Sequence, residues 1–162
     1  MKLRRKVHNE KGVAAIEFAI VLPVLLLLLI GIVEFSLLLY DKAMITNASR
    51  EGARAGIVYD AIDTNDDGVP DFLHPPASVI ETTINTYLQN FLVSFDPESP
   101  DIHINRYPDS TLTPGTELGY GAEESGDFLK VEIDYQYGFL LLPQWVSGLV
   151  GDINAVTVMR FE

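Results

Sequence analysis

The stretch from Gly12 to Tyr40, GVAAIEFAIVLPVLLLLLIGIVEFSLLLY, constrains this chain more than any other part of it. It is 29 residues long and carries two charges, Glu17 and Glu34, with none from Phe18 to Val33. As a helix rising ~1.5 Å per residue it spans ~43 Å, more than the ~30 Å hydrocarbon core of a bilayer. It is apolar on every side, so docking one face on a soluble core would leave most of it unburied. The reading is one transmembrane helix over residues 13–40. A secretory signal peptide also starts basic, but its apolar core is usually about 7–15 residues and ends in a small-residue cleavage site. Here the following residues, DKAMITNASREGARAG, read as helix continuing to about Gly56.

The charge is divided across that helix. Residues 1–12, MKLRRKVHNEKG, form a basic leader with five Lys and Arg. From Asp41 onward there are 6 Lys and Arg against 20 Asp and Glu, a balance of −14. The bias in Lys and Arg predicts a cytoplasmic N-terminus and an acidic domain outside. That acidic field repels phosphate backbones, which sets nucleic acid aside as a partner. The chain has no cysteine, so the outer domain is held by its core, by partners or by metal rather than by disulfides.

Residues 57–162 read as that domain. An Asp-, Pro- and Gly-rich loop is predicted over 59–77. Ser78 and Glu81 have capping-box spacing, and Ile80, Ile84, Leu88, Phe91 and Leu92 follow at helical spacing, predicting an amphipathic helix over about 79–93. Asp101–Tyr107 alternates as a strand, and Pro108–Asp127 reads as a polar loop or hairpin. Leu129, Val131, Ile133, Tyr135 and Tyr137 alternate with Lys130, Glu132, Asp134 and Gln136, making Phe128–Tyr137 the clearest strand. Phe139–Val150, FLLLPQWVSGLV, is apolar but is interrupted by Pro143 and Gly148. It is too short to span a bilayer and suits a surface-packed or interfacial loop or short helix. Ile153–Phe161 reads as a last strand. The fold class is therefore α+β: a long N-terminal transmembrane helix continuing outside the membrane, then a small helix with an antiparallel sheet.

The motif KGVAAIEF, residues 11–18, places Glu17 inside apolar sequence. A carboxylate in hydrocarbon is costly and usually has a partner or a function. One reading is an interfacial carboxylate neutralised by Lys11 or lipid amines, or protonated. The other comes from resemblance. The motif is similar to that of prepilins and pseudopilins, in which a membrane prepilin peptidase cuts after the glycine. Carried over, Gly12 precedes the cut, Val13 becomes the N-terminus, and Glu17 pairs with a neighbouring subunit's new amine during assembly. Glu34, near the outer interface where charge costs little, reads as an ordinary interfacial residue. Arg50, Glu51 and Arg54 stand at i,i+3 and i,i+4 spacing, as solvated or subunit-facing pairs do.

The resemblance is closest to the TadE-like family of the tight-adherence (Flp) pilus system. It rests on KGVAAIEFAIVLPVLLLLLIGIVEF, on TNASREGARAG in the emerging helix, and on NAVTVMRFE at the end. Residues 57–127 match nothing in that pattern. The resemblance implies a pilin-like architecture and a single-pass protein of a bacterial inner membrane, with its C-terminal domain periplasmic. It implies as partners a prepilin peptidase, other pilins, Tad inner-membrane assembly proteins and membrane lipid.

A second motif is DTNDDGVPD, residues 63–71, the first nine positions of an EF-hand-type calcium loop. Asp63, Asn65 and Asp67 stand at positions 1, 3 and 5, Gly68 at the sharp turn, Val69 offers its carbonyl at 7, and Asp71 fills 9. Position 12 is His74, so the bidentate glutamate is missing and any affinity falls in the weak extracellular range, about 0.1–1 mM. The alternative is an Asp/Asn/Gly turn on an acidic surface. No cofactor is required by any motif. There is no cysteine nucleophile, phosphate-binding glycine loop or H-E-x-x-H, and His8, His74 and His103 lie in separate segments, so the chain is not expected to be an enzyme. The leading expectation is a TadE-like minor pilin or pseudopilin; the alternative is an uncleaved, membrane-anchored calcium-binding envelope protein.

Overall fold

A computed structural model describes residues 10–58, 60–62, 71–73, 75–93, 100–115, 126–139 and 152–161. Helix α1 runs Glu10–Ile57, 48 residues without a break at Pro23. It is long and apolar enough to cross a membrane, with a mean hydropathy of 2.9 over its most apolar stretch, none of it buried. No residue from Val13 to Val33 is buried. This fits a membrane anchor, because an apolar surface of this size is stable only in lipid or against a partner.

From Glu34 onward one face of α1 turns inward. Glu34, Asp41, Ile45, Ala48, Ser49, Gly52, Ala53 and Gly56 are buried, with Leu37 and Leu38 packed at the margin. Steps of three and four keep these residues on one side of the helix. The expected continuation of the helix to about Gly56 is thus present, and it is the spine of the domain.

The face is covered first by α2, Ala77–Phe91. Ile80, Ile84 and Leu88 are its buried residues, one per turn. The expected capping box is not formed. The helix is capped instead at Pro76, without a side-chain bond, and Val79 N–H donates to the Pro76 carbonyl at 2.9 Å. Starting two residues early places Ser78 inside the first turn, where its hydroxyl no longer stands at the capping position. Phe91 has the spacing of the buried face but lies at the helix end. It stays 47% exposed, with its ring 4.8 Å from that of Tyr87.

Within the expected loop over 59–77 the structure forms a short antiparallel pair, β1 (Asp60–Ile62) and β2 (Asp71–Leu73), with Ile62 opposite Asp71. Three-residue strands are too short for alternation to reveal them.

The main sheet contains β3 (Asp101–Tyr107), β4 (Phe128–Tyr135) and β5 (Ile153–Arg160), antiparallel in the order β3-β4-β5. Leu129, Val131, Ile133 and Tyr135 of β4 and Ile153 and Ala155 of β5 are buried in the common core with α1 and α2. The opposite face carries Lys130, which pairs with Glu132 at 2.6 Å, and His103, 3.5 Å from Asp101 and 3.8 Å from Asp134.

β4 runs antiparallel to α1. A Cβ on Gly56 would meet Leu129. Ser49 Oγ donates to the Val131 carbonyl at 3.1 Å. The Lys42 ammonium donates to the Asn154 carbonyl, and Asn154 stands opposite Asp134. The C-terminal end of β4 therefore points toward the apolar half of α1. At the other end, buried Arg106 lies 3.1 Å from Asp127, and Phe161 N–H donates to the Asp127 carbonyl at 2.8 Å.

Candidate functional site

The N-terminal motif lies wholly on α1. Gly12 and Val13 follow the helix start at Glu10, Val13 is 52% exposed, and Glu17 is exposed four residues later on the same face. Among the described residues Glu17 forms no ion pair. The structure thus keeps Gly12, Val13 and Glu17 together as one linear helical segment, well below the first domain contact at Glu34. Its chemistry is that of a carboxylate presented to lipid or to another chain.

The candidate calcium ligands Asp63, Asn65, Asp67 and Val69 lie outside the described residues. Of Asp71 only the backbone is described, in β2 opposite Ile62. Among the described residues no group of three or more His, Asp or Glu is arranged to hold a metal ion.

A third set of residues is brought together only by the fold. Glu34 is 1% exposed, Asp41 is fully buried and Tyr137 is 6% exposed. Glu34, read from the sequence as an ordinary charge near the outer interface, is buried: the domain closes over it. The Asp41 Oδ1 accepts the Val93 N–H at 3.1 Å, tying the end of α2 to α1, while its Oδ2 has no hydrogen-bond partner. Burial pushes the Asp41 carboxyl above the usual carboxylate range, against the lowering effect of the Val93 bond. The Tyr137 hydroxyl is pushed up to about 12, by burial first and then by the charges of Glu34 and Asp41. One signal in the sequence could have exposed this set. Glu34 and Asp41 are two helical turns apart, in phase with Ala48 and in the same buried stripe as Ile45, Gly52 and Gly56.

The REGARAG block divides between two faces. Arg50, Glu51 and Arg54 are exposed, whereas Gly52, Ala53 and Gly56 are buried, the two glycines against α2 and β4. Residues 12–54 match the family model of the TadE-like proteins. The matched segment includes the Gly12–Val13 pair, Glu17, the unburied apolar run and most of the inward face of α1. It stops before the hairpin, α2 and the sheet. Comparison with curated proteins and with solved structures gives no match. The match supports a protein associated with the Tad pilus machinery in general.

Proposed function

We propose that this chain is a TadE-like minor pilin or pseudopilin, a membrane-inserted structural component of Tad/Flp pilus assembly and adhesion rather than an enzyme. The observation that carries this reading is where the family match falls. It begins at Gly12 and follows a helix with no buried residue from Val13 to Val33, on which Glu17 has no ion-pair partner among the described residues. In this reading the basic leader stays in the cytoplasm, the acidic domain is periplasmic, and a prepilin peptidase cuts between Gly12 and Val13. Glu17 then meets the free amine of a neighbouring subunit, which gives a carboxylate in hydrocarbon its counter-charge. The intact mass of the protein from cells carrying an active prepilin peptidase tests this. Loss of residues 1–12 is the expected result. Retention of Met1 overturns the processed-pilin reading and leaves an uncleaved anchor.

A further inference from the structure

The apolar surface of α1 does not end where the domain begins. After Glu17 the next exposed charged side chain on the helix is Arg50, since Glu34 and Asp41 are buried and Lys42 is half-buried with its ammonium on the Asn154 carbonyl. On the side away from the domain Phe35 is 62% exposed, Leu39 51% and Tyr40 41%. Ser36, among them, donates its hydroxyl to its own helix at the Ile32 carbonyl, 2.7 Å away, so it needs no water there. A helix leaving a membrane into water beside a soluble domain would carry polar residues at these positions.

The domain reaches the same level. The unburied run from Val13 to Val33 is ~32 Å long at ~1.5 Å per residue, about one hydrocarbon thickness, so its outer edge falls at Glu34. Lys42 marks the level of Asp134 through Asn154. Three residues of extended chain beyond Asp134 advance ~10 Å, about seven residues back along α1, to the turn of Phe35. Buried Tyr137 belongs to the core cluster against which Leu37 and Leu38 of α1 pack, and the Phe139 ring packs edge-on to it at 5.3 Å. Tyr137 itself is buried, so the rings left open at this level are those of Phe35, Tyr40 and the partly buried Phe139, and aromatic residues so placed form the belts that anchor membrane proteins at the headgroups.

We propose that the end of the domain formed by residues 136–139, together with Phe35, Leu39 and Tyr40, rests in the headgroup layer of the bilayer. The protein then has two contacts with lipid: α1 through the core and this aromatic end on the surface. The contact is apolar and aromatic, so a zwitterionic lipid is sufficient for it. A second copy is a poor occupant of the same surface, because the part of the chain beyond residue 40 carries a balance of −14. The proposal rests on α1 being membrane-spanning.

The chain has no cysteine, so single-cysteine variants of the full-length protein can be labelled with a nitroxide at one site. Leu27→Cys, Tyr40→Cys, Gln136→Cys and Asn85→Cys all fall at exposed positions. In phosphatidylcholine vesicles, collision of the label with oxygen and with a water-soluble nickel chelate reports depth. The expected order is Leu27→Cys deep in hydrocarbon, Tyr40→Cys and Gln136→Cys at headgroup depth, and Asn85→Cys in water. If Leu27→Cys is deep but Tyr40→Cys and Gln136→Cys are as aqueous as Asn85→Cys, the inference fails and the span stands. If Leu27→Cys is aqueous, the span itself fails and takes the inference with it. Shielding of Tyr40→Cys from both reagents that disappears on diluting protein in lipid would assign the surface to a second copy and overturn the proposal.

Discussion

Gly52 and Ile84 pack so closely that a Cβ on Gly52 would lie 2.5 Å from the Ile84 Cγ1. Four residues on, a Cβ on Gly56 would lie 2.6 Å from both Ile80 Cδ1 and Leu129 Cδ2. Two glycines in a helix cost about 1 kcal/mol each in propensity. Here they admit α2 and β4 to the surface of α1, so the REGARAG block contains the packing surface for the domain's second helix.

Gly52→Ala and Gly56→Ala are therefore expected to destabilise the domain by about 1–3 kcal/mol each through overpacking, because the added methyl must displace side chains of Ile80, Ile84 and Leu129 that are fully buried. Gly31→Ala, with nothing within 4 Å of its Cβ, is the control and leaves the domain's stability unchanged. Chemical denaturation of the detergent-solubilised protein, followed by far-UV circular dichroism, measures both.

Asp41 gives the fold a pH dependence of definite sign. Its carboxyl is raised in the folded state from the ordinary 3.8. The folded protein therefore holds that proton more tightly than the unfolded chain. This contribution is fully present below pH 3.8 and is lost as pH rises through the raised folded value. Asp41→Asn keeps an oxygen for the Val93 N–H and removes the buried charge. The difference in melting temperature, variant minus wild type, should grow from pH 4 to pH 8. A flat difference would mean that Asp41 does not titrate with folding.

Arg106 and Asp127 form a buried pair at the end of the sheet farthest from the apolar half of α1, with side chains 5% and 10% exposed. Asp127→Ala leaves the guanidinium buried without its counter-charge. The expected cost is about 3–5 kcal/mol, read as a lowered denaturation midpoint.

Processing depends on a small residue before the cut in the reading proposed above. Gly12→Glu puts a bulky, charged side chain at the last residue of the leader and should leave Met1 in place in cells with an active prepilin peptidase. Glu17→Gln should still be cleaved but fail to assemble with other pilins. Separating the two effects by intact mass and by shear release of pili distinguishes processing from assembly.

Calcium is the remaining test of residues 63–71. Four aspartates in this stretch repel one another without a cation, and a ligand that binds only the folded state stabilises it by mass action. Millimolar Ca²⁺ should raise the melting temperature by about 2–6 °C, and Asp63→Ala or Asp67→Ala should abolish the shift while Asp66→Ala keeps it. Calorimetry showing no binding at several millimolar would reduce the motif to an acidic turn.

The long apolar helix, the later helix and all three strands of the main sheet were legible in the sequence, because each is written in a regular pattern. Uniform apolarity over Gly12–Tyr40, steps of four from Ile80 to Leu88, and alternation from Leu129 to Tyr135 state the element directly. Gly12, Val13 and Glu17 fall on one helix, as a linear pattern in the chain requires, and their role belongs to the proposed function. The short hairpin β1–β2 and the Pro76 cap were not, since both depend on a few backbone bonds rather than on a repeating pattern. Glu34 looked like an ordinary charge near the outer interface, and nothing in the sequence marked Asp41. Only the tertiary structure decided that they are buried, because burial belongs to what lies opposite: Tyr137 arriving from β4 and Val93 from the end of α2. The same holds for Gly52 and Gly56, which alone read as weak points in a helix and become contacts only once Ile84, Ile80 and Leu129 are set against them.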